Sequence, residues 1–400
     1  MSSKTSSAVE LSYRALYGKL FSSLIRLFGV NCFNEIEDAI QNAFLKSLRV
    51  WQGSGVPESK ENWLFIVARN DVINQLKNKN RVGEASVWSV TGEIETEESD
   101  LRLQTILFLS SLKRVSAPAK VVFILKNIFG LSVREISENT LLSPEAVYKS
   151  INRTKSGVSL EFENKPRDFS LAAMGDAGIT TVEEILYAVF NIGFDSFDKK
   201  NQSVVDEDLC LEAMALANLL YKSIPRDSTR NLLALFCFHL ARVPAKVNKG
   251  KLVPFLKQDR AKWDKKLMAL GFNYLQKPGK LHRFYIEALI ASRYMTARSY
   301  DARHWEEIVE LYELLAEYHH SPIVRLNLCY GLHKTQRTGE ALKLLAEIED
   351  MLPSGHIYFS LIKAEVLKAI TPQESERIMT SVMQKMEQTI RKEYFYETLL

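Results

Sequence analysis

Residues Gly130 to Lys155 read GLSVREISENTLLSPEAVYKSINRTK. Leu131, Val133, Ile136 and Leu141 are apolar at roughly helical spacing, and Val147 and Ile151 repeat four apart. Ser143, Pro144 and Glu145 form a helix start. The hydroxyl caps, the proline sits where its missing N–H costs nothing, and the acid meets the positive end of the helix dipole. Two short helices joined by a tight turn are therefore expected. The second presents Tyr148, Lys149, Ser150, Asn152, Arg153 and Lys155 outward. Such side chains can hydrogen-bond base edges or phosphates, and the pattern is that of a helix-turn-helix. A surface helix pair with ordinary solvated charges would share it.

Upstream of this stretch the periodicity stays helical. Val9, Leu11, Tyr13, Leu16, Tyr17, Leu20, Leu24, Leu27 and Phe28 recur over residues 9 to 28, and Gly29 ends the run. From Asn34 to Val50, Ile36, Ile40, Phe44 and Leu48 make one buried stripe. Glu37, Asp38, Gln41, Asn42 and Leu45 fall outside it, an acidic and amide-rich face with one exposed leucine. A loop is expected over Trp51 to Asn62 from its glycines and proline. A third helix is expected from Trp63 to Lys79, packing Trp63, Leu64, Ile66 and Val67. Its second half sets Val72, Ile73 and Leu76 among Arg69, Asn70, Asn74, Gln75, Lys77, Asn78 and Lys79, with no acid after Asp71. Amide and basic side chains offer donors to bases and phosphates. A polar helix end would look similar.

Val82 to Asp100 holds six acids and no lysine or arginine, the composition of a flexible acidic linker. Helices resume at Leu101 to Leu112 and Pro118 to Phe129, and Gly130 closes the second. Glu161 to Ile179 reads as another linker. Beyond it, amphipathic runs follow at Asp206–Tyr221, Thr229–Ala241, Asp259–Leu275, Lys280–Thr296 and Trp305–Tyr318. Pro322–Leu332, Gly339–Met351, His356–Ala369 and Gln373–Ile390 continue the series. This is an αα-hairpin array of the helical-repeat kind. Gly339-Glu340-Ala341-Leu342 resembles part of a tetratricopeptide repeat, without the full repeat signature.

Four hundred residues allow two or three domains, and 52 basic against 48 acidic residues leave a net charge of only +4. Bulk charge gives no argument for nucleic acid, so the case rests on where charges sit. Cys32, Cys210, Cys237 and Cys329 have neither zinc nor redox spacing and read as buried thiols of a reducing compartment. No signal-peptide run or membrane-length apolar stretch occurs, so a cytoplasmic protein without a membrane partner is expected. Neither a P-loop, GxSxG, HExxH nor a phosphate-cradling glycine run is found. The expectation is a non-enzyme with no catalytic residue, metal or cofactor.

The order of these motifs carries more than any one of them. The EDAIQNAF helix, then WLFIVARNDVINQLKNK, then an acidic linker and a helix-turn-helix, resembles bacterial extracytoplasmic-function sigma factors over residues 9 to 160. LYAVFNIGF (Leu186 to Phe194), FLKQDRAKWD (Phe255 to Asp264) and Trp305 to Asn327 resemble the tetratricopeptide-like extension of one subgroup. The resemblance implies an all-α chain. A polymerase-docking and −10-melting domain would span 9–81 and an acidic linker 82–100. A −35 domain would span 101–160, a linker 161–180 and a regulatory helical domain 181–400.

By the same resemblance, Glu37, Asp38, Gln41, Asn42 and Leu45 would dock core RNA polymerase. Asn70 would help capture a base flipped from the −10 strand, with Arg69, Asn74, Gln75, Lys77 and Lys79 along the single strand. Tyr148, Lys149, Asn152 and Arg153 would read the −35 element, with Arg134 and Lys155 on phosphates. Core polymerase and promoter DNA are the implied partners, with a protein regulator acting through the C-terminal helices. The chain departs from the pattern at Asn74, where the family usually has aspartate, and at Gln75 and Lys77, where an arginine pair is common. Ile192 replaces the acid of the subgroup's NEGY. Two other classes stay open: a helix-turn-helix regulator that needs no polymerase, and a helical-repeat scaffold.

Overall fold

A computed structural model describes residues 2–78, 98–161, 175–195, 204–386, 388 and 390–393. Apart from short 3-10 turns and one two-stranded hairpin, the regular structure among them is α-helical. The fold is all-α. Contacts divide the chain into two compact units, Met1–Val189 and Phe190–Leu400.

The first unit holds α1 (Ser2–Phe28), α2 (Phe33–Ser54), α3 (Lys60–Asn78), α4 (Glu98–Ser111), α5 (Ala117–Asn127), α6 (Val133–Thr140) and α7 (Pro144–Glu161). Helix α8 (Asp176–Phe194) contains the boundary between units. Ile36, Ile40 and Phe44 of α2 are buried, with Leu48 half-buried. The expected loop over 51–62 shrinks to 55–59, because α2 runs on to Ser54 and α3 starts at Lys60. Trp51 is buried and meets Trp63 edge-on at 5.5 Å, so packing overrides Gly53. In α3 the buried residues are Leu64, Phe65, Ala68, Val72 and Leu76. Ile66, expected inside, is 48% exposed, because the inward stripe falls on Phe65 instead.

Residues from the stretches 9–78 and 98–161 share one core. Phe21 of α1 stacks on Phe33 of α2 at 5.9 Å, and Phe123 of α5 meets Phe33 edge-on at 5.1 Å. All three are buried. Gly18 lets α1 touch α5: a Cβ there would lie 1.7 Å from the carbonyl oxygen of Ile128. That oxygen also accepts from Arg102 Nη2 at 3.0 Å, and Arg26 Nη1 donates to Gln104 Oε1 at 2.8 Å.

The helix-turn-helix forms as expected. Gly130 ends the preceding segment at φ 64, and Leu131 N–H bonds back to Leu125 C=O. Ser132 and Glu135 cap α6 reciprocally. Leu141 takes the left-handed turn at φ 60, and Ser137 Oγ donates to Leu142 C=O. Ser143 Oγ accepts from Ala146 N–H to start α7. Leu131, Ile136, Val147 and Ile151 are buried.

The second unit contains α9 (Glu207–Ser223), α10 (Asp227–Ala241), α11 (Val243–Lys246) and the antiparallel strands β1 (Val247–Asn248) and β2 (Lys251–Leu252). There follow α12 (Lys265–Tyr274), α13 (Arg283–Thr296), α14 (Ala302–Tyr318), α15 (Pro322–Lys334), α16 (Thr338–Ile348), α17 (Ile357–Leu367) and α18 (Pro372–Lys385). From Leu232 to Phe238 helix α10 is apolar all round, and it is buried by α9, α12 and α13. From α13 to α18 each helix packs on the next, the nearest-neighbour pattern of a helical array. The helix expected over 259–275 is broken: Arg260–Lys262 is a 3-10 turn, and Asp264 caps a separate α12. The expected linker ends sooner than read, since α8 begins at Asp176. All four cysteines are buried and free. Among the described residues no helix is long and apolar enough to cross a membrane.

Candidate functional site

Asp38, Gln41, Asn42 and Leu45 of α2 are all exposed, spaced three, one and three residues apart. That spacing puts them in one stripe opposite the buried Ile36–Ile40–Phe44 face. Leu45 is 58% exposed, an apolar group held in water beside polar neighbours. Such a stripe suits docking onto another protein.

Across from it on α3, Asn70, Asn74 and Lys77 are exposed, while Arg69 and Gln75 are half-buried. A cleft of about 270 Å³ between the two helices is lined by Asn42, Lys46, Val67, Asn70, Asp71 and Asn74. Asp71 organises it: its Oδ2 accepts from Asn42 Nδ2 at 2.8 Å and Gln75 Nε2 at 3.4 Å. The three asparagines present amide donors and carbonyl acceptors together, the set that can read a base edge. The structure thus joins Asn42, assigned to docking, with Asn70 and Asn74, assigned to the −10 strand. Val67, expected only to pack the helix, is half-buried at the cleft wall, and Lys46, to which no role fell, lies one turn beyond Asn42 and is within reach of that spacing. Lys79 and most of the acidic stretch 82–100 lie outside the described residues. Glu98 to Asp100 belong to α4.

On α7, Tyr148, Lys149, Asn152 and Arg153 are exposed, and Tyr148 is 58% so. Arg134 on α6 is exposed and bonds Glu138 at 2.7 Å. Ser150 and Lys155 are half-buried rather than outward. The reason for Lys155 is electrostatic. Its Nζ donates to Glu37 Oε2 at 2.5 Å and to Asn34 Oδ1 at 2.9 Å, at the start of α2. Glu37, expected on the open docking face, is correspondingly half-buried. The exposed part of each proposed surface therefore excludes this pair.

Residues 179–278 match a family of unknown function (DUF6596). An uncharacterized protein of Rhizobium meliloti (strain 1021) is 27% identical over 350 residues, covering 84% of this chain and 82% of that protein. No solved structure matches.

Proposed function

We propose that this chain is a sigma factor: it binds core RNA polymerase, directs promoter recognition and melting, and is modulated by its C-terminal helices. The observation that carries this reading is the adjacency on α2 and α3. An exposed stripe suited to protein docking runs into an amide-lined cleft suited to an extruded base. A regulator that only reads duplex DNA has no use for that combination. The exposed face of α7 supplies a second, separate DNA-reading surface.

Reconstitution with core RNA polymerase tests it. Asp38→Ala combined with Gln41→Ala removes two exposed side chains of the stripe and leaves the core untouched. Loss of polymerase binding with unchanged helicity is expected. Undiminished binding refutes the docking assignment. Tight, sequence-specific duplex binding by the chain alone would instead favour a polymerase-independent regulator.

A further inference from the structure

Two of the three stretches that resemble the subgroup extension, Leu186–Phe194 and Phe255–Asp264, meet around one cation. Arg242 Cζ lies 4.0 Å from the centre of the Phe255 ring and 5.5 Å from that of Phe194. Lys246, one turn on, sets its Nζ 3.8 Å from the same Phe194 ring and donates to the Phe194 carbonyl. His239, one turn before, packs its ring on Phe194 at 4.9 Å. Three basic side chains thus converge on one aromatic ring in the second unit.

Their nearest counter-charge, Asp195, acts on Lys246 but is already engaged elsewhere. It accepts from Arg391 Nη2 at 2.6 Å and from Tyr358 Oη. Burial weighs most against the Lys246 charge, and Arg242 and Arg391 add repulsion that Asp195 only partly offsets. No carboxylate or carbonyl among the described residues accepts a hydrogen bond from the Arg242 side chain, and its Nε is buried without a partner. His239 Nδ1 is likewise buried without one. Rings stabilise a guanidinium through its faces but supply no acceptor for its five N–H groups. A cationic N–H sealed from water with nothing to accept it, as at Arg242 Nε, is costly, so it is seldom left this way unless something else completes the site.

We propose that Arg242 and Lys246 form a binding site for a small oxyanion, a phosphate or carboxylate group. The Phe255 ring takes one side of the guanidinium and leaves its N–H edge for a planar, two-point contact. Lys246 adds a second charge from the Phe194 side. Both cations are only partly buried, so a ligand can reach them from solvent. This site is independent of the sigma-factor reading, because every residue in it belongs to the second unit.

Thermal melting of the full chain in chloride buffer, with inorganic phosphate or acetate added at matched ionic strength, tests the site. Arg242→Met, Lys246→Met and the exposed control Lys343→Gln are compared with the parent. In the parent and the control, the melting temperature should rise and saturate with one anion or both. Phosphate alone assigns a phosphate ligand, and acetate alone a carboxylate. Arg242→Met should lose the response, and Lys246→Met should weaken apparent affinity roughly tenfold. Without added anion, Arg242→Met should melt no lower than the parent, since it removes a half-buried charge whose Nε–H has no acceptor. The assignment fails if neither anion shifts the parent, or if Arg242→Met or Lys246→Met responds as the parent does. It also fails if Arg242→Met melts far below the parent in chloride, which would show the guanidinium to be satisfied by the fold itself.

Discussion

Lys155 on α7 and Glu37 on α2 lie 118 residues apart in sequence and 2.5 Å apart in space. Under the proposed function the first contacts promoter phosphate and the second contacts polymerase. In this conformation each occupies the other. Glu37→Gln should release the lysine to solvent. The isolated chain should then bind duplex DNA more tightly at low salt. Its plot of log affinity against log salt should steepen by about 0.9, the release of roughly one further counterion. Fluorescence anisotropy over a salt series measures the slope. An unchanged slope would show that Lys155 makes no phosphate contact.

The closeness of α1 to α5 gives a second expectation. At Gly18 any side chain must move a backbone carbonyl, not a flexible side chain. Gly18→Ala should therefore destabilise the first unit by more than about 3 kcal/mol, or part α1 from α5. Gly53, also helical, has nothing within 4 Å of the position a Cβ would take. Gly53→Ala should be neutral or stabilising by about 0.5 kcal/mol through helix propensity alone. Denaturant melts of the two variants check the contrast.

These contacts mark where sequence reading stops. Caps, spacing and turn residues are local, so Ser143 at the start of α7, Gly130 at the end of the preceding segment and the exposed stripe of α2 could all be read directly. Phe21, Phe33 and Phe123 each read only as apolar, because nothing local says that residues about 90 positions apart share a core. The same limit hid the Glu37–Lys155 pair, since a charged residue on a helix reads as solvated until its partner is known. Trp51 shows the opposite error. Glycine and proline signalled a loop, and burial against Trp63 carried the helix through Gly53. In the second unit, NIGF and FLKQDRAKWD both resemble the subgroup extension, but nothing in the sequence says that they touch. Only the fold brings Phe194 and Phe255 to Arg242.

Lys246 provides a pH test of that buried cluster. Desolvation is the chief cause that lowers its pKa, from 10.5 to about 8. Asp195 and Cys210 oppose the shift, while Arg242 and Arg391 add to it; His239 sits in the same cluster. Between pH 8 and 10.5 the unfolded chain holds a proton that the folded chain has released, so this group makes stability rise with pH. Below pH 8 both states are protonated and the burial penalty is full. Lys246→Met should then melt higher than the parent at pH 7 in chloride, and the gap should close as pH approaches 10. Cys210, Cys237 and Cys329, raised to about 12, act in the opposite sense above pH 9. Both proteins carry them, so the difference between the two melting curves isolates the lysine. A gap that does not change with pH would mean that Lys246 titrates normally.

Leu45 separates stability from docking most cleanly. It is 58% exposed on α2, with its neighbours Asp38, Gln41 and Asn42 also in water. Little apolar area is lost on truncation, so Leu45→Ser should change folding stability by no more than about 0.5 kcal/mol. If the stripe docks polymerase, the leucine is the group that gains most by burial there. Its loss should then weaken core polymerase binding roughly tenfold, because the apolar centre of an interface carries disproportionate energy. Phe44→Ala, one residue earlier, reverses the pattern: it empties a buried site and should cost about 3 kcal/mol or more of stability. Paired measurements of melting and polymerase affinity on the two variants therefore test the orientation of α2. Equal loss of binding and of stability in both would mean that the helix serves only the core.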